Sequence, residues 1–305
     1  MIRKIVAQGK GANTLTLPAE WIKLNNLKPG DEVAIIKKNN DLIITTSRKN
    51  EAPVKSIEIN AEGNKILLTA LLNVCYRKGY DEVYVVIHDD NEVSTIKDKV
   101  ARMIGYEIME SKEGKMVIKR VASASIEEYN NSVKRACFTL KAMLDTLNIG
   151  LKEKNKKRLL EVIEMDANLD KLTDYGRHIL LKDSSVDPSN APNSYLFLWS
   201  MEKIGDLVRD IAKIYSNSKQ KIKIDSDIES LNEQVMSLAS QFYDLAFALD
   251  NAKIPEFFSK RAALEVKIFA VISNSSKEKA RHAHYLESIV RMLLDSFGQI
   301  VMSNL

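Results

Sequence analysis

Apolar positions change their period twice along the chain. In residues 1–50, Ile2, Ile5, Leu15, Leu17, Val33, Ile35, Leu42 and Ile44 fall in short alternating or branched segments, a pattern that predicts strands. Pro18 opens a short helix from Ala19 to Leu24, Pro29-Gly30-Asp31 turns the chain back, and Asn39-Asn40-Asp41 supplies a turn between two strands. Fifty residues of short strands bury little on their own, so this unit is expected to complete its core by pairing with a second copy.

Residues 52–121 predict a small α/β module of order βαβαββ. Ile57-Glu58-Ile59 is a strand, Ile66 to Tyr76 a helix, Gly79-Tyr80-Asp81 a turn and Glu82 to Ile87 a strand. A second helix, Thr95 to Ile104, stops near Gly105, and Tyr106–Met109 with Met116–Val121 makes a hairpin around Glu113-Gly114.

From Ile126 onward apolar residues recur every three or four positions. The pattern predicts helices near 126–147, 153–181, 193–216, 225–250, 255–273 and 277–303. They are separated at Asn148-Ile149-Gly150, between Asp187 and Pro192, at Ser216–Lys221 and at Lys253-Ile254-Pro255. Six long amphipathic helices imply a bundle over 126–305. They fall into two sets, 126–216 and 225–303. Glu202-Lys203-Ile204 and Asp210 correspond to Glu287-Ser288-Ile289 and Asp295 at one constant offset, as in a degenerate repeat. The fold class is therefore α+β multidomain: a β-rich hairpin domain, an α/β linker module, and an all-α bundle of two three-helix repeats.

Composition narrows the classes. At 305 residues the chain is too long for one ordinary core, and its six prolines and eleven glycines contain no low-complexity tract that would argue for disorder. The two cysteines, Cys75 and Cys137, lie in apolar helical patterns without metal-site or disulfide spacing, which fits a reducing compartment. Gln8, Lys10 and Asn13 interrupt any secretory leader after the basic start. The longest apolar run, Ile66 to Tyr76, is far short of the roughly 20 residues a bilayer needs. A cytoplasmic protein with no membrane insertion is expected. The formal net charge is +4, yet residues 1–50 hold nine Lys/Arg against four Asp/Glu. The excess basic charge is thus confined to the N-terminal unit, which points to a polyanion partner there.

The third bundle helix carries Glu202, Asp206 and Asp210, and the second carries Asp166 and Asp170, all at four-residue spacing. That spacing puts each set on one stripe, and apolar positions such as Met201, Ile204, Val208 and Ile211 cluster on roughly the opposite side, so the stripe is expected to face away from the core. Two antiparallel neighbours would bring five carboxylates together. Like charges at this spacing destabilise a helix by a few tenths of a kcal/mol per pair unless a cation lies between them. With oxygen donors, no thiolate and no nearby histidine, the set favours Mg²⁺, Mn²⁺, Ca²⁺ or iron over copper. The same spacing also suits an ordinary solvated acidic face, and spacing alone does not choose between the two. Gly205, in a helix interior where glycine costs about 1 kcal/mol against alanine, implies a close approach.

The run Met201-Glu202-Lys203-Ile204-Gly205-Asp206-Leu207-Val208-Arg209-Asp210-Ile211-Ala212 resembles the PhoU signature LERIGDHAxNIA, and Asp166-Ala167-Asn168-Leu169-Asp170-Lys171-Leu172 is similar to the DxxVDxL stretch of that family. The resemblance covers roughly 126–303. It implies two three-helix bundles that bind metal through surface acids and help to shut down phosphate uptake, acting on the phosphate transporter's ATPase subunit or a phosphate-signalling protein. On that basis Asp166, Asp170, Glu202, Asp206 and Asp210 are candidate ligands for a divalent or trivalent ion such as Fe, Mn, Mg or Zn. Leu207 and Asp210 depart from the signature. The second repeat offers Arg291 where an acid is expected, with Arg261 and Glu265 nearby, so a second cluster is expected to be weak or lost and its arginines to pair with Glu265 and Glu287.

Residues 1–50 look like an AbrB/SpoVT-type swapped-hairpin domain through Gln8-Gly9, Leu15-Thr16-Leu17-Pro18, Trp21-Ile22, Leu27-Lys28-Pro29-Gly30-Asp31-Glu32-Val33 and Leu42-Ile43-Ile44. Such domains are intertwined homodimers that bind DNA. Arg3, Lys4, Lys10 and Asn13 of the first hairpin are the candidate contacts. The fusion of the two resembles an archaeal arrangement of phosphate regulators, for which no catalytic role is expected. Two other readings remain open. One is an AbrB-like transcription factor or antitoxin whose bundle only oligomerises or senses metal. The other is a carboxylate-bridged metal enzyme, although the Glu-x-x-His spacing of ferritin-like sites and the common phosphate-loop and nucleophile motifs are absent.

Overall fold

The computed structural model describes residues 2–9, 11–38, 41–46, 54–112, 114–122, 125–182, 190–217, 224–275 and 277–304. The expected turn residues Asn39 and Asn40, together with Glu113 and residues 183–189 and 218–223, lie outside them. The chain divides into two compact units, Met1–Val54 and Lys55–Leu305.

In the first unit, β1 (Val6–Gln8) and β2 (Ala12–Thr14) pair antiparallel, with Ala7 opposite Asn13. Helix α1 (Ala19–Leu24) follows Pro18, and the Asn25 side chain donates back to the Trp21 carbonyl at 2.8 Å, closing its last turn. Strands β3 (Val33–Lys38) and β4 (Asp41–Thr46) pair antiparallel, Ile35 opposite Ile44. No side chain described in this unit is buried, and Ile5, Val6, Ile35 and Leu42 all stand exposed. Among the described residues, the alternation that marked this unit as core-forming has no core within one chain.

The second unit opens with a four-stranded sheet. β5 (Ser56–Asn60) runs parallel to β6 (Glu82–Val86) through α2 (Lys65–Arg77). Helix α3 (Asp90–Val100) leads to the hairpin of β7 (Tyr106–Lys112) and β8 (Lys115–Arg120), giving the order β5-β6-β8-β7. The second helix starts at Asp90, five residues before the expected Thr95, because Asp89 caps it by accepting the Glu92 N–H at 2.8 Å. Glu92 is 1% exposed, and its carboxylate accepts N–H groups from Gly63 (3.0 Å) and His88 (2.7 Å). One buried acid thereby ties together the loops that follow the two parallel strands, its charge offset by peptide donors.

The bundle comprises α4 (Ile126–Lys152), α5 (Lys156–Lys182), α6 (Ala191–Ser216), α7 (Ser226–Phe247), α8 (Ile254–Ser273), α9 (Lys277–Asp295) and α10 (Phe297–Asn304). Ser125 and Glu128 form a reciprocal capping box at the start of α4. The expected break at Asn148-Ile149-Gly150 is corrected: α4 continues to Lys152. Gly150 is a packing position, where a methyl would meet Leu159 Cδ2 at 2.9 Å, and the helix closes where Lys154 takes a φ of 54°. The last expected helix is split, since Ser296 bonds the Met292 carbonyl through both its N–H and its Oγ (2.7 Å). Beyond the break Phe297 packs against Phe257 and Phe258.

The α/β module is joined to α5 through the C-terminus of α2. His178 donates from Nδ1 to the Tyr76 carbonyl at 2.7 Å and stacks on the Tyr76 ring, while Lys182 Nζ reaches the Gly79 carbonyl at 2.8 Å and Asp81 at 2.6 Å. Helix C-termini present unsatisfied carbonyls and partial negative charge, and here α5 supplies the donors. Burial lowers the His178 pKa and so favours the neutral ring, whose proton on Nδ1 serves the Tyr76 carbonyl.

His282 is the other buried histidine of the bundle, bonded through Nδ1 to the Tyr215 hydroxyl at 2.8 Å with Nε2 unpartnered. Burial pushes its pKa down to about 3. The folded value lies below the unfolded one near 6.5, so its stabilising share is complete above that pH and is lost as pH falls towards 3, because the unfolded chain takes up the proton first. Urea unfolding is expected to show this residue removing about 2 kcal/mol between pH 7 and pH 5, a loss that His282→Gln abolishes relative to wild type.

Candidate metal centre

Helices α5 and α6 meet where Leu169, fully buried, rests on Gly205; a methyl at Gly205 would collide with Leu169 Cδ2. This close seating sets the acids of the two helices against each other. Asp166, Asp170 and Asp206 each offer a carboxylate oxygen, and these three atoms lie within 4.8 Å of one another. The expectation that the stripe faces away from the core is corrected: Asp166 is 4% exposed and the other acids are half-buried. A solvated acidic face would look different.

The remaining two candidates turn to other partners. Glu202 takes an ion pair with Arg177, whose side chain is fully buried, and lies 3.9 Å from Arg77 of α2. Asp210 accepts from Arg209 at 3.0 and 3.1 Å and faces Lys213 at 3.5 Å. Arg209 also donates to Asp166 Oδ2 at 2.8 Å and Asp206 Oδ1 at 2.5 Å, and Lys203 holds Asp206 Oδ2 at 2.7 Å. Asp174, one step further along the α5 stripe, binds Arg77 at 2.7 Å and Arg177 at 2.9 Å.

Two carboxylate oxygens in this cluster are buried without any partner, Asp166 Oδ1 and Asp170 Oδ1. Burial, followed by the charges of Asp166, Glu202, Asp206 and Asp174, pushes the Asp170 carboxyl up to about 7. Burial likewise raises Asp166 against the opposing pull of Arg209. For Arg209, burial works to lower the pKa but is outweighed by the hydrogen bonds and charges of Asp166, Asp206 and Asp210, which raise it. Orphaned buried oxygens are rare and call for a partner. A hard cation is what an all-oxygen set of this size fits.

The second helix set lacks the arrangement among the described residues. Arg261 pairs with Glu265 at 2.7 Å and Arg291 with Glu287, as their spacing predicted. In the first unit Arg3, Lys4 and Asn13 are exposed; Lys10 lies outside the described residues.

Sequence reasoning passed over Asp174, Arg177 and Arg209. The first continues the four-residue spacing from Asp166 and Asp170, and each arginine follows an acid by three positions, so all three were accessible to a charge-pair reading. Arg77 lies 97 residues from Asp174 and carried no local signal.

Comparison with known proteins points to the same helices. Residues 133–215 match the PhoU domain. That PhoU match runs from within α4 through α6 and includes all five candidate acids; α7 to α10, which the resemblance also covered, lie outside it. Residues 6–52 match the model described as antidote-toxin recognition MazE, bacterial antitoxin, in agreement with the swapped-hairpin resemblance of the N-terminal unit. No curated protein matches the chain. A crystal structure of the phosphate transport system regulatory protein PhoU from Streptococcus pneumoniae is similar at 14% identity with a TM-score of 0.45, over 57% of this chain and 92% of that one.

The glycine contact under the PhoU-like acids is open to test. Gly205→Ala gains about 1 kcal/mol of helix propensity but forces α5 and α6 apart at an overpacked site, which costs typically 1–3 kcal/mol. A net loss of about 1 kcal/mol in unfolding free energy is expected from chemical denaturation, together with weakened metal binding by calorimetry.

Proposed function

We propose that the chain is a regulator of phosphate homeostasis that binds a metal ion through Asp166, Asp170 and Asp206 and contacts DNA through its N-terminal unit. The reading is carried by one observation: Asp166 and Asp170, each with a buried, unpartnered carboxylate oxygen, cluster with Asp206 within 4.8 Å in the helices that match the PhoU domain. Glu202 and Asp210 stand at the edges of the cluster, held by arginines, and join the ligand set only by exchanging those partners. A bound divalent ion adds positive charge where Arg209 and Lys203 leave one oxygen each of Asp166 and Asp170 without a partner. Asp170, which receives no hydrogen bond from Arg209, is the acid with most to gain. The role is binding and signalling, with no catalytic residue assigned, and the phosphate transporter's ATPase subunit or a phosphate-signalling protein is the expected downstream partner.

The N-terminal part of the proposal rests on separate observations. The MazE match, the local excess of basic charge and a unit in which no described side chain is buried fit a homodimer whose paired hairpins bind DNA. Among the described residues no helix is long and apolar enough to cross a membrane.

Isothermal titration with Mn²⁺ and Mg²⁺ is expected to show binding by the wild-type chain and a loss of at least about tenfold in affinity in Asp170→Asn, since one charged ligand is removed. Equal affinity in the two would remove Asp170 from the site. Fluorescence anisotropy with duplex DNA is expected to show affinity that falls as salt rises. In Arg3→Ala/Lys4→Ala the slope of log affinity against log salt should shrink by about 1 for each phosphate that is no longer neutralised; an unchanged slope would place the interface elsewhere.

A further inference from the structure

The acid cluster already contains a cation of its own. Arg209 lies on α6, three residues after Asp206, and its guanidinium gives Nη1 to both Asp166 Oδ2 and Asp206 Oδ1 and gives Nε and Nη2 to Asp210 Oδ1. It therefore neutralises acids from both helices at once, each met by separate N–H donors of a fixed planar fork. The neutralisation is incomplete. Asp166, 4% exposed, keeps Oδ1 buried and unpartnered, and Asp170 Oδ1 is in the same state. A finished structural ion-pair network would leave neither.

A divalent ion drawn to these two oxygens and to Asp206 competes with Arg209, which holds Asp206 Oδ1 and the second oxygen of Asp166, while Lys203 holds Asp206 Oδ2. The guanidinium and the ion are both positive and repel each other across carboxylates they would share. Arg209 is not sealed in: its side chain is 22% exposed and that of Asp210, on which it also rests, 33%. Lys203 sits on the other oxygen of Asp206 at 36% exposure and has no contact with Asp166 or Asp170 among the described ion pairs.

We propose that Arg209 is an internal surrogate cation, occupying the carboxylate cluster until a hard divalent metal displaces it, so that metal binding is an exchange of one cation for another. The inference rests on the metal reading given above and adds the residue that sets its threshold. Arg209 holds the α5–α6 contact together in the metal-free chain and, by the same contacts, lowers the apparent affinity for metal by the fraction of time it occupies the site. On displacement the guanidinium stays tethered to Asp210, ready to return when the ion leaves.

The test compares the full chain with Arg209→Gln and Arg209→Lys, using Mn²⁺ titration calorimetry and thermal unfolding with and without Mn²⁺. Arg209→Gln is expected to bind Mn²⁺ about tenfold more tightly than wild type, to melt at a lower temperature without metal, and to gain more from Mn²⁺. Arg209→Lys keeps a positive charge without the fork, should lie between the two, and serves as the measurement if Arg209→Gln does not fold. Mn²⁺ binding by wild type with equal or weaker affinity in the variants would overturn the exchange and leave the metal reading standing. An absence of Mn²⁺ binding in wild type and variants alike would overturn both.

Discussion

The seating of Leu169 against Gly205 governs what the rest of the bundle can do. Two helices approach this closely only where one lacks a side chain, and the approach fixes which faces meet. Helix α5 then presents Asp166 and Asp170 to Asp206 of α6 from only a few ångströms away. Without the contact the same acids would project into solvent, where water would screen them from one another. Packing thus creates the electrostatic conflict, and the arginines around it are the response.

That response runs as a ladder along α5. Asp166 and Asp170 belong to the cluster, Asp174 binds arginines from two elements, and His178 and Lys182 cap the carbonyls at the end of α2. The progression from acid to neutral ring to cation follows the four-residue spacing of one helix face. It takes the surface from a place suited to cations to a place suited to the negative end of another helix. Arg77 and Glu202 bring the α/β module to within 3.9 Å of the edge of the acid cluster, so the two regions share one charged network.

Much of this was legible in the residues. Helix locations followed from apolar spacing, the pairing of Arg261 with Glu265 and Arg291 with Glu287 from their register, and Gly205 announced a close approach before its partner was known. The errors have physical causes. Gly150 suggested a stop because glycine is a poor helix former, but the decisive factor was the buried face of Leu159 on the next helix. The acid stripe was assigned an outward face because its own helix places apolar residues opposite; which neighbour covers a polar face is a tertiary fact, absent from any one helix. The turn of Glu202 towards Arg177 and Arg77 depended on residues distant in sequence, and charge patterns carry no information about contacts at that range.

The caps that α5 provides for α2 bear on how the molecule can be dissected. Tyr76 and Gly79 place their carbonyls on His178 and Lys182, so a cut through the linker near residue 122 would divide a joint between its two halves. A fragment beginning at Ser125 would carry a histidine and a lysine that meet peptide oxygens in the full chain, now facing water beside an Asp174 that keeps Arg177 but has lost Arg77. A fragment ending at Ala122 would leave the Tyr76 and Gly79 carbonyls without His178 and Lys182. The natural seam for dividing the chain lies upstream, at the boundary near Val54.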